Sequence, residues 1–391
     1  MEFMLLLAGL QWILGPLIEY NFPANHFKYY MYVPEAEYMG YVVPAYAVFV
    51  LGIFGGLGAL SKVQIPIAQL KRFKYYGLSI FLIGVFFDLI AAYLPGTLGF
   101  FAFLVGNFKF AGAIILFFSG DTRLRKIFYL ALGYLFLRAL QSAMFHDLVL
   151  WTVFFYMFWA LKHQPSRRQI YLTILLGVFS LSTLQTIKAT YRAQVWQGYS
   201  GNKLELFTGL VVDAVFTSSN NEEALRGTQN NIRLNQGWII SAIMDEIPSR
   251  TPFIGGETIS TAVSSSILPR FLNPNKAIAG GRENFTRFTG LYLGRGTSMG
   301  ISIIGEAYGN YGILGGIVFM GGWGFFLALF WRWLLKKASK NLVLIAFLPL
   351  IYLQVVKAET ELVVVLNHLV KASIVVFAFF WAARNFLNWK I

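Results

Sequence analysis

The stretch "LVVVLNHLVKASIVVFAFFWAARNF", residues 362–386, is apolar for nearly its whole length, with His368, Lys371 and Arg384 as its only titratable side chains. A helix needs about 20 such residues to cross the roughly 30 Å hydrocarbon core of a bilayer, so this run reads as a membrane span. Runs of the same kind recur near residues 3–19, 39–60, 75–94, 97–118, 127–142, 147–161, 169–187, 299–331 and 341–357. The 391 residues are 57% hydrophobic, 17% aromatic and only 13% charged, and the mean hydropathy is +0.60. That composition excludes an ordinary soluble domain. A single cleaved leader would account for one apolar run, not for this series. The expected fold class is all-α and polytopic, with about ten transmembrane helices.

The polar connections give these spans a direction. Basic residues fill every second one: Lys62, Lys71, Arg72 and Lys74; Arg123, Arg125 and Lys126; Lys162, Arg167 and Arg168; Arg332, Lys336, Lys337 and Lys340. The connections between them carry Glu19, Glu35, Glu37, Asp147, Glu359 and Glu361 instead. Short basic loops stay on the cytoplasmic side, so both termini are expected in the cytoplasm. The runs at 127–142 and 147–161 are short, and a re-entrant pair is an alternative for them. The formal charge of +14 is then an orientation signal, with no nucleic-acid partner implied. The chain has no cysteine, which excludes disulfides, thiolate metal sites and cysteine nucleophiles.

One connection breaks the rhythm. Residues 188–298 form a hydrophilic insertion of about 110 residues, separating an N-terminal bundle (1–187, about seven spans) from a C-terminal segment (299–391, about three). The alternation puts this insertion outside the cytoplasm, and long loops are exempt from the positive-inside bias. Within it, 203–217 and 232–247 have helical periodicity, and a Gly/Pro/Ser-rich stretch follows from Pro248 to Gly300. The stretch keeps Trp238, Phe253, Phe271, Phe285, Phe288 and Tyr292 close at hand, so an ordered cap fits better than disorder.

The cap is rich in arginine: Arg192, Arg226, Arg233, Arg250, Arg270, Arg282, Arg287 and Arg295, against Lys188, Lys203 and Lys276. Guanidinium presents a planar fork that suits phosphate oxygens and stays charged at any working pH. An anionic ligand is expected for the set, while any single arginine has an equal claim to pairing with the cap's own acids. Pro269 and Pro274 hold Arg270 and Lys276 on a stiff, non-helical path. Lys188 and Arg192 stand four residues apart where the seventh span ends, and face the same way if that helix continues; snorkelling to the membrane surface is the alternative.

Candidate bases come from "SIIGEAYGNYGILGG" (302–316), where Ser302, Glu306 and Asn310 recur every four residues beside Gly305, Gly309, Gly312 and Gly316. An ionisable group at a membrane edge is a functional-site hypothesis by default, and Glu306 is the first choice for a general base. A structural partner for a cap arginine is the competing role. Glu257 is the second candidate, Asp245 and Glu246 come behind it, and His368 with Lys371 could line the same cavity. Lys109, Arg138, Lys357 and Lys371 fall inside apolar runs and suggest a polar interior. The four histidines are scattered without metal-ligand spacing, and no nucleotide-cradling loop is present, so neither metal nor cofactor is expected.

"RLNQGWIIS" (233–241), "ILPRFLNPNK" (267–276) and "SIIGEAYGNYGILGG" (302–316) resemble, in this order, motifs of the bacterial oligosaccharide repeat-unit polymerases of the Wzy type. The resemblance covers roughly residues 185–330 and the overall topology. It implies a GT-C-like membrane fold, related to that of the O-antigen ligases, in a bacterial cytoplasmic membrane with the large loop in the periplasm. It also implies metal-independent transfer of a glycan from polyprenyl diphosphate to the acceptor sugar of another lipid-linked oligosaccharide. Membrane lipid, a chain-length regulator and a flippase would be the other partners. On that reading Arg270, Lys276, Arg282 and Arg287 lead the groups facing the diphosphate, Arg270 as a catalytic cation, with Lys188, Arg192, Arg250 and His368 lining the substrate path. A ligase transferring to lipid A core keeps this donor chemistry. A lipid-linked oligosaccharide flippase and a membrane O-acyltransferase are the readings from other classes.

Overall fold

The computed structural model describes residues 1–390 apart from 24–26, 28, 59–64, 217–233, 268–280 and 295–296. Every regular element among them is a helix. The first eight are α1 (Glu2–Asn21), α2 (Glu35–Leu57), α3 (Ile67–Tyr93), α4 (Gly96–Gly106), α5 (Phe108–Phe117), α6 (Thr122–Ser142), α7 (His146–His163) and α8 (Arg167–Trp196). The insertion contributes α9 (Lys203–Phe216), α10 (Gly237–Glu246), α11 (Glu257–Ile267) and α12 (Arg282–Thr289). The chain closes with α13 (Ile303–Lys340), the short α14 (Leu342–Ile351) and α15 (Leu362–Phe386).

Seven of these segments are long and apolar enough to cross a bilayer: α1, α2, α3, the run Leu98–Phe117 formed by α4 and α5, α8, α13 and α15. The sequence reading expected about ten. The difference lies in α6, α7 and α14. Helix α6 carries Arg123, Arg125, Lys126 and Arg138, and α7 has only 18 residues with charged or titratable groups at both ends. In α14 only the ten residues Leu342–Ile351 are helical, too few to cross. These segments define a multi-pass, all-helical membrane protein.

The chain divides into two compact units, Met1–Ile65 with Asn231–Asn341 and Ile351–Ile391, and Pro66–Asn230 with Leu342–Leu350. The insertion is shared between them: 188–216 belongs with α3–α8, and 234–294 belongs with α1, α2, α13 and α15. The seventh span also runs past the expected boundary at 187, since α8 ends at Trp196.

In the first unit α2 and α13 touch backbone to backbone. A Cβ on Gly52 would strike the Gly321 carbonyl, one on Gly324 the Phe49 carbonyl, and one on Gly56 would lie 2.6 Å from the Phe325 carbonyl. Lipid tails are as apolar as leucine, so helices in a bilayer associate through such close packing and through hydrogen bonds. Buried aromatic groups add the latter. The Tyr38 hydroxyl donates to the Trp12 carbonyl at 2.8 Å, Tyr41 to the Ile304 carbonyl at 2.7 Å, and Trp12 Nε1 to the Ala358 carbonyl at 3.2 Å. Helix α13 is broken once, at Gly312 (φ 69, ψ −164), a conformation that a side chain would strain.

In the second unit α3 and α5 also meet through glycine, with Gly112 so near α3 that a Cβ would stand 2.5 Å from the Phe81 amide nitrogen. Aromatic rings fill the rest: Phe110 tilted against Trp151 (centroids 4.4 Å apart) and Phe117 stacked on Phe128 (4.3 Å). The C-terminal carbonyls of α6, orphaned in any helix, are met by donors from α8 and α9. Tyr191 reaches Leu140 (2.9 Å), Lys203 reaches Gln141 (3.1 Å), and Trp196 Nε1 reaches Ser142 (3.2 Å). Helix α8 buries Ile187 and Tyr191 at this end, while its first two-thirds expose apolar side chains such as Tyr171, Leu175 and Phe179.

Gly324→Leu, which has no space, should destabilise the protein by about 1–3 kcal/mol through overpacking. Gly40→Ala has no neighbour within 4 Å and should be neutral or slightly stabilising. Thermal unfolding of both variants in the same detergent, followed by size-exclusion fluorescence, measures the difference.

Candidate functional site

The helical start of α13 sets the centre of the candidate site. Glu306, in its first turn, is 1% exposed. Its Oε2 accepts the amide N–H of Leu362, the first residue of α15, at 2.8 Å. A carboxylate here meets both the orphan N–H groups and the positive end of a helix. Asn310, one turn on, donates to Thr258 Oγ1 and to the Glu306 carbonyl, both at 2.8 Å, and accepts the Gly256 amide at 3.0 Å. The polar stripe seen in the sequence therefore fastens α11 and the start of α15 to α13. Because Glu306 touches the first residue of α15, the N-terminal ends of α13 and α15 lie side by side, and the chain crosses back between Lys340 and Glu361.

Glu361, the residue before α15, is a second buried acid here; its Oε2 accepts the Asn284 amide at 3.2 Å. This joins α12 to the same centre. Neither Asn284 nor Glu361 was singled out as a site residue, although an acid placed directly before a long apolar run is a helix-start signal.

Arg250, Arg282 and Arg287, the described arginines of the insertion in this unit, are engaged outside that centre. Arg287 binds Glu257 with both fork nitrogens, at 2.9 and 2.8 Å. The pairing holds the Glu257 carboxyl below its ordinary range and raises Arg287, which makes Glu257 a poorer base. Whatever stability the pair adds is present at neutral pH, and it is lost as pH falls through the lowered carboxyl value. Arg250 donates through Nε to Glu246 at 2.8 Å and also contacts Asp245; chiefly through that Arg250 hydrogen bond, Glu246 is held low. Arg282 opens α12 and donates to the Leu293 carbonyl at 3.1 Å. His368 is buried on α15, where the neighbouring Lys371 donates to Asn367 at 2.7 Å.

Lys188 and Arg192 belong to the second unit. Both lie on α8, which continues through them as their shared facing requires. Arg192 donates to the Ala143 carbonyl at 3.4 Å and lies over the Trp196 ring at 4.8 Å, so it takes part in covering the end of α6. Arg270 and Lys276, with Pro269 and Pro274, lie outside the described residues, as do Arg226, Arg233 and Arg295.

A cavity of about 190 Å³ opens in the first unit, lined by Tyr29, Gln236, Trp238, Ile239, Ser298, Met299, Gly300 and Glu359. Tyr29 and Trp238 meet there with ring centroids 4.9 Å apart. Aromatic faces beside an amide, a hydroxyl and a carboxylate suit a polar ligand with apolar faces. Gln236 and Trp238 come from the "RLNQGWIIS" motif, with Asn235 accepting the Trp238 amide at 3.2 Å to start α10. Among the described residues no three His, Asp or Glu side chains converge as metal ligands would. Comparison of the chain with protein-family models, with curated proteins and with solved structures finds no match.

Glu306→Ala would leave the buried Leu362 amide without its acceptor, and should cost about 1–3 kcal/mol. Glu306→Gln keeps one acceptor oxygen and should retain most of that stability. Thermal unfolding of the pair separates a fastening role from a purely chemical one, for which both would fold like the wild type.

Proposed function

We propose that this chain polymerises lipid-linked oligosaccharide repeat units at the outer face of a bacterial cytoplasmic membrane. The acceptor hydroxyl oxygen attacks the anomeric carbon of the donor glycan. The bond from that carbon to the diphosphate oxygen breaks, the electron pair leaves with the polyprenyl diphosphate, and the hydroxyl proton passes to a base. The observation that carries this reading is the build of the described residues 281–294 and 256–267. Helix α12, which bears Arg282 and Arg287, is fastened through Asn284 to Glu361, and α11 through Thr258 to Asn310, at the N-terminal ends of two membrane helices that Glu306 joins. Guanidinium groups on such a platform can stabilise the charge of a leaving diphosphate without reorganising, which is where most of a barrier reduction comes from.

The cavity at Trp238 would take the acceptor sugar, with Tyr29 and Trp238 offering ring faces and Gln236 and Ser298 offering hydrogen bonds. Glu359 is then the carboxylate placed to accept the hydroxyl proton, a better position than that of the enclosed Glu306 or the arginine-bound Glu257. The GT-C-like fold, the ten crossings and the cytoplasmic termini belong to the same proposal.

A deletion strain tests it directly. Loss of long glycan chains with a single repeat unit retained is the expected phenotype; long chains left unattached on the lipid carrier would assign the ligase reaction instead. In the purified or membrane-resident protein, Arg282→Lys and Arg287→Lys should keep their abundance, since the exposed Arg287–Glu257 pair contributes at most about 1 kcal/mol and a lysine at 282 still offers a donor to the Leu293 carbonyl. Chain length should nevertheless fall towards one unit, because lysine cannot reproduce the fork. Wild-type chain length in both variants would remove the arginine platform from the mechanism. Cysteines introduced at Ser218 and Asn275 should label from the periplasm and one at Lys337 from the cytoplasm, against a background free of native thiols.

A further inference from the structure

Three charged side chains meet within the second unit, and none of them is used above. Asp88 lies near the end of α3, Lys109 near the start of α5 and Arg138 near the end of α6. Asp88 Oδ1 is 3.1 Å from Lys109 Nζ and 2.6 Å from Arg138 Nη1. The Tyr134 hydroxyl donates to Asp88 Oδ2, and Arg138 Nη1 donates to the Tyr134 oxygen at 2.9 Å. Lys109 also reaches the Gly106 carbonyl at 2.9 Å, where α4 gives way to α5. Side-chain exposure is 6% for Lys109, 12% for Asp88 and 54% for Arg138.

Two features of this cluster stand out physically. The first is charge. Two cations share one carboxylate, and among the described residues neither has another acid within ion-pair distance. The second is depth. Asp88 lies 14 residues beyond Lys74 and Arg138 lies 12 beyond Lys126, roughly 18–21 Å along their helices at about 1.5 Å per residue. With those basic residues at one surface of a hydrocarbon core about 30 Å thick, the cluster stands near the opposite surface, within the last two turns of α3 and α6, which end at Tyr93 and Ser142. Net positive charge at that depth requires a partner.

Arg138 engages Asp88 and Tyr134 through Nη1 alone, and its Nε and Nη2 make no hydrogen bond among the described residues. Those two nitrogens form one edge of the guanidinium fork, which matches two oxygens of a phosphate. Beside it, Leu130 and Leu137 on the same helix are 67% and 54% exposed, an apolar surface for acyl chains. The geometry points to a binding site for the phosphate of an anionic membrane lipid, held by the Nε and Nη2 edge of Arg138 within the field of Lys109. Asp88 and Tyr134 orient the guanidinium, and Asp88 sets the affinity by competing with the ligand for the same cations. This site is independent of the polymerase reading.

The full-length protein, purified in detergent, is titrated with phosphatidylglycerol, with a neutral glucosyl diacylglycerol and with inorganic phosphate, and bound species are counted by native mass spectrometry. Phosphatidylglycerol should bind in preference to the neutral lipid, and millimolar inorganic phosphate should not displace it. Arg138→Gln, which leaves Lys109 and Asp88 as a neutral pair and so should fold, is expected to weaken phosphatidylglycerol by about tenfold or more. Arg138→Lys should fall between the two. Asp88→Asn removes the competing anion and should tighten binding several-fold, the opposite of what loss of a purely structural knot would do. Equal binding of anionic and neutral lipid, or wild-type affinity in Arg138→Gln, overturns the proposal whether or not Asp88→Asn folds. Displacement by inorganic phosphate at the lipid's own concentration overturns the assignment to a lipid.

Discussion

A carboxylate with almost no exposure to solvent joins the polar and apolar parts of the first unit. Glu306 sits where α13 begins, takes the first amide of α15, and stands beside an asparagine that holds Thr258 of α11 and the loop leading into it. A helix that starts among apolar side chains leaves N–H groups that water cannot reach, and each such group left bare costs on the order of 1–3 kcal/mol. Supplying the acceptor from another helix meets that need and fixes the spacing of the two helices. Helices α11 and α12, with Arg282 and Arg287, are oriented by this fastening and by its neighbour Glu361–Asn284.

Much of this was legible in the sequence, and the parts that were not share a cause. The windows 203–217 and 232–247 stand as Lys203–Phe216 and Gly237–Glu246, because both carry an apolar periodicity of their own. Helices α11 and α12 were hidden in a Gly/Pro/Ser-rich stretch. "ETISTAVSSSI" is rich in serine and threonine, which compete with the backbone for hydrogen bonds, and this helix is held by packing against α15. Glu306 was visible as part of a polar stripe, but its partner is a backbone amide 56 positions away, and backbone amides leave no mark on a side-chain pattern. Asp88 passed unnoticed for the same reason. It is a single acid in an apolar run, and it gains meaning only when Arg138, 50 residues on, folds back to it.

The arginines show how far residue type alone can carry an inference. As a set they read as an anion platform; individually, several have local work. Arg192 covers the exposed carbonyls of α6, Arg250 bridges Asp245 and Glu246, and Arg287 grips Glu257. Surface pairs of this kind are cheap to open, so a highly charged ligand can recruit Arg250 or Arg287 from its carboxylate. A helix-covering cation such as Arg192 is harder to release, because the carbonyl it leaves would lose a donor.

Helix α8 imposes a different kind of constraint. Its first two-thirds are ringed by exposed apolar side chains, and the protein grips it at the far end, through buried Ile187 and Tyr191 and the hydrogen bonds of Arg192 and Trp196. For most of its length the helix answers to the lipid alone, which registers the thickness of its apolar belt and is indifferent to shape. Drift among leucine, isoleucine, valine and phenylalanine between Ile170 and Leu181 would be nearly silent. The same exchanges at the far end would loosen the cover over α6. Two rates of evolutionary change are thus written into one continuous helix.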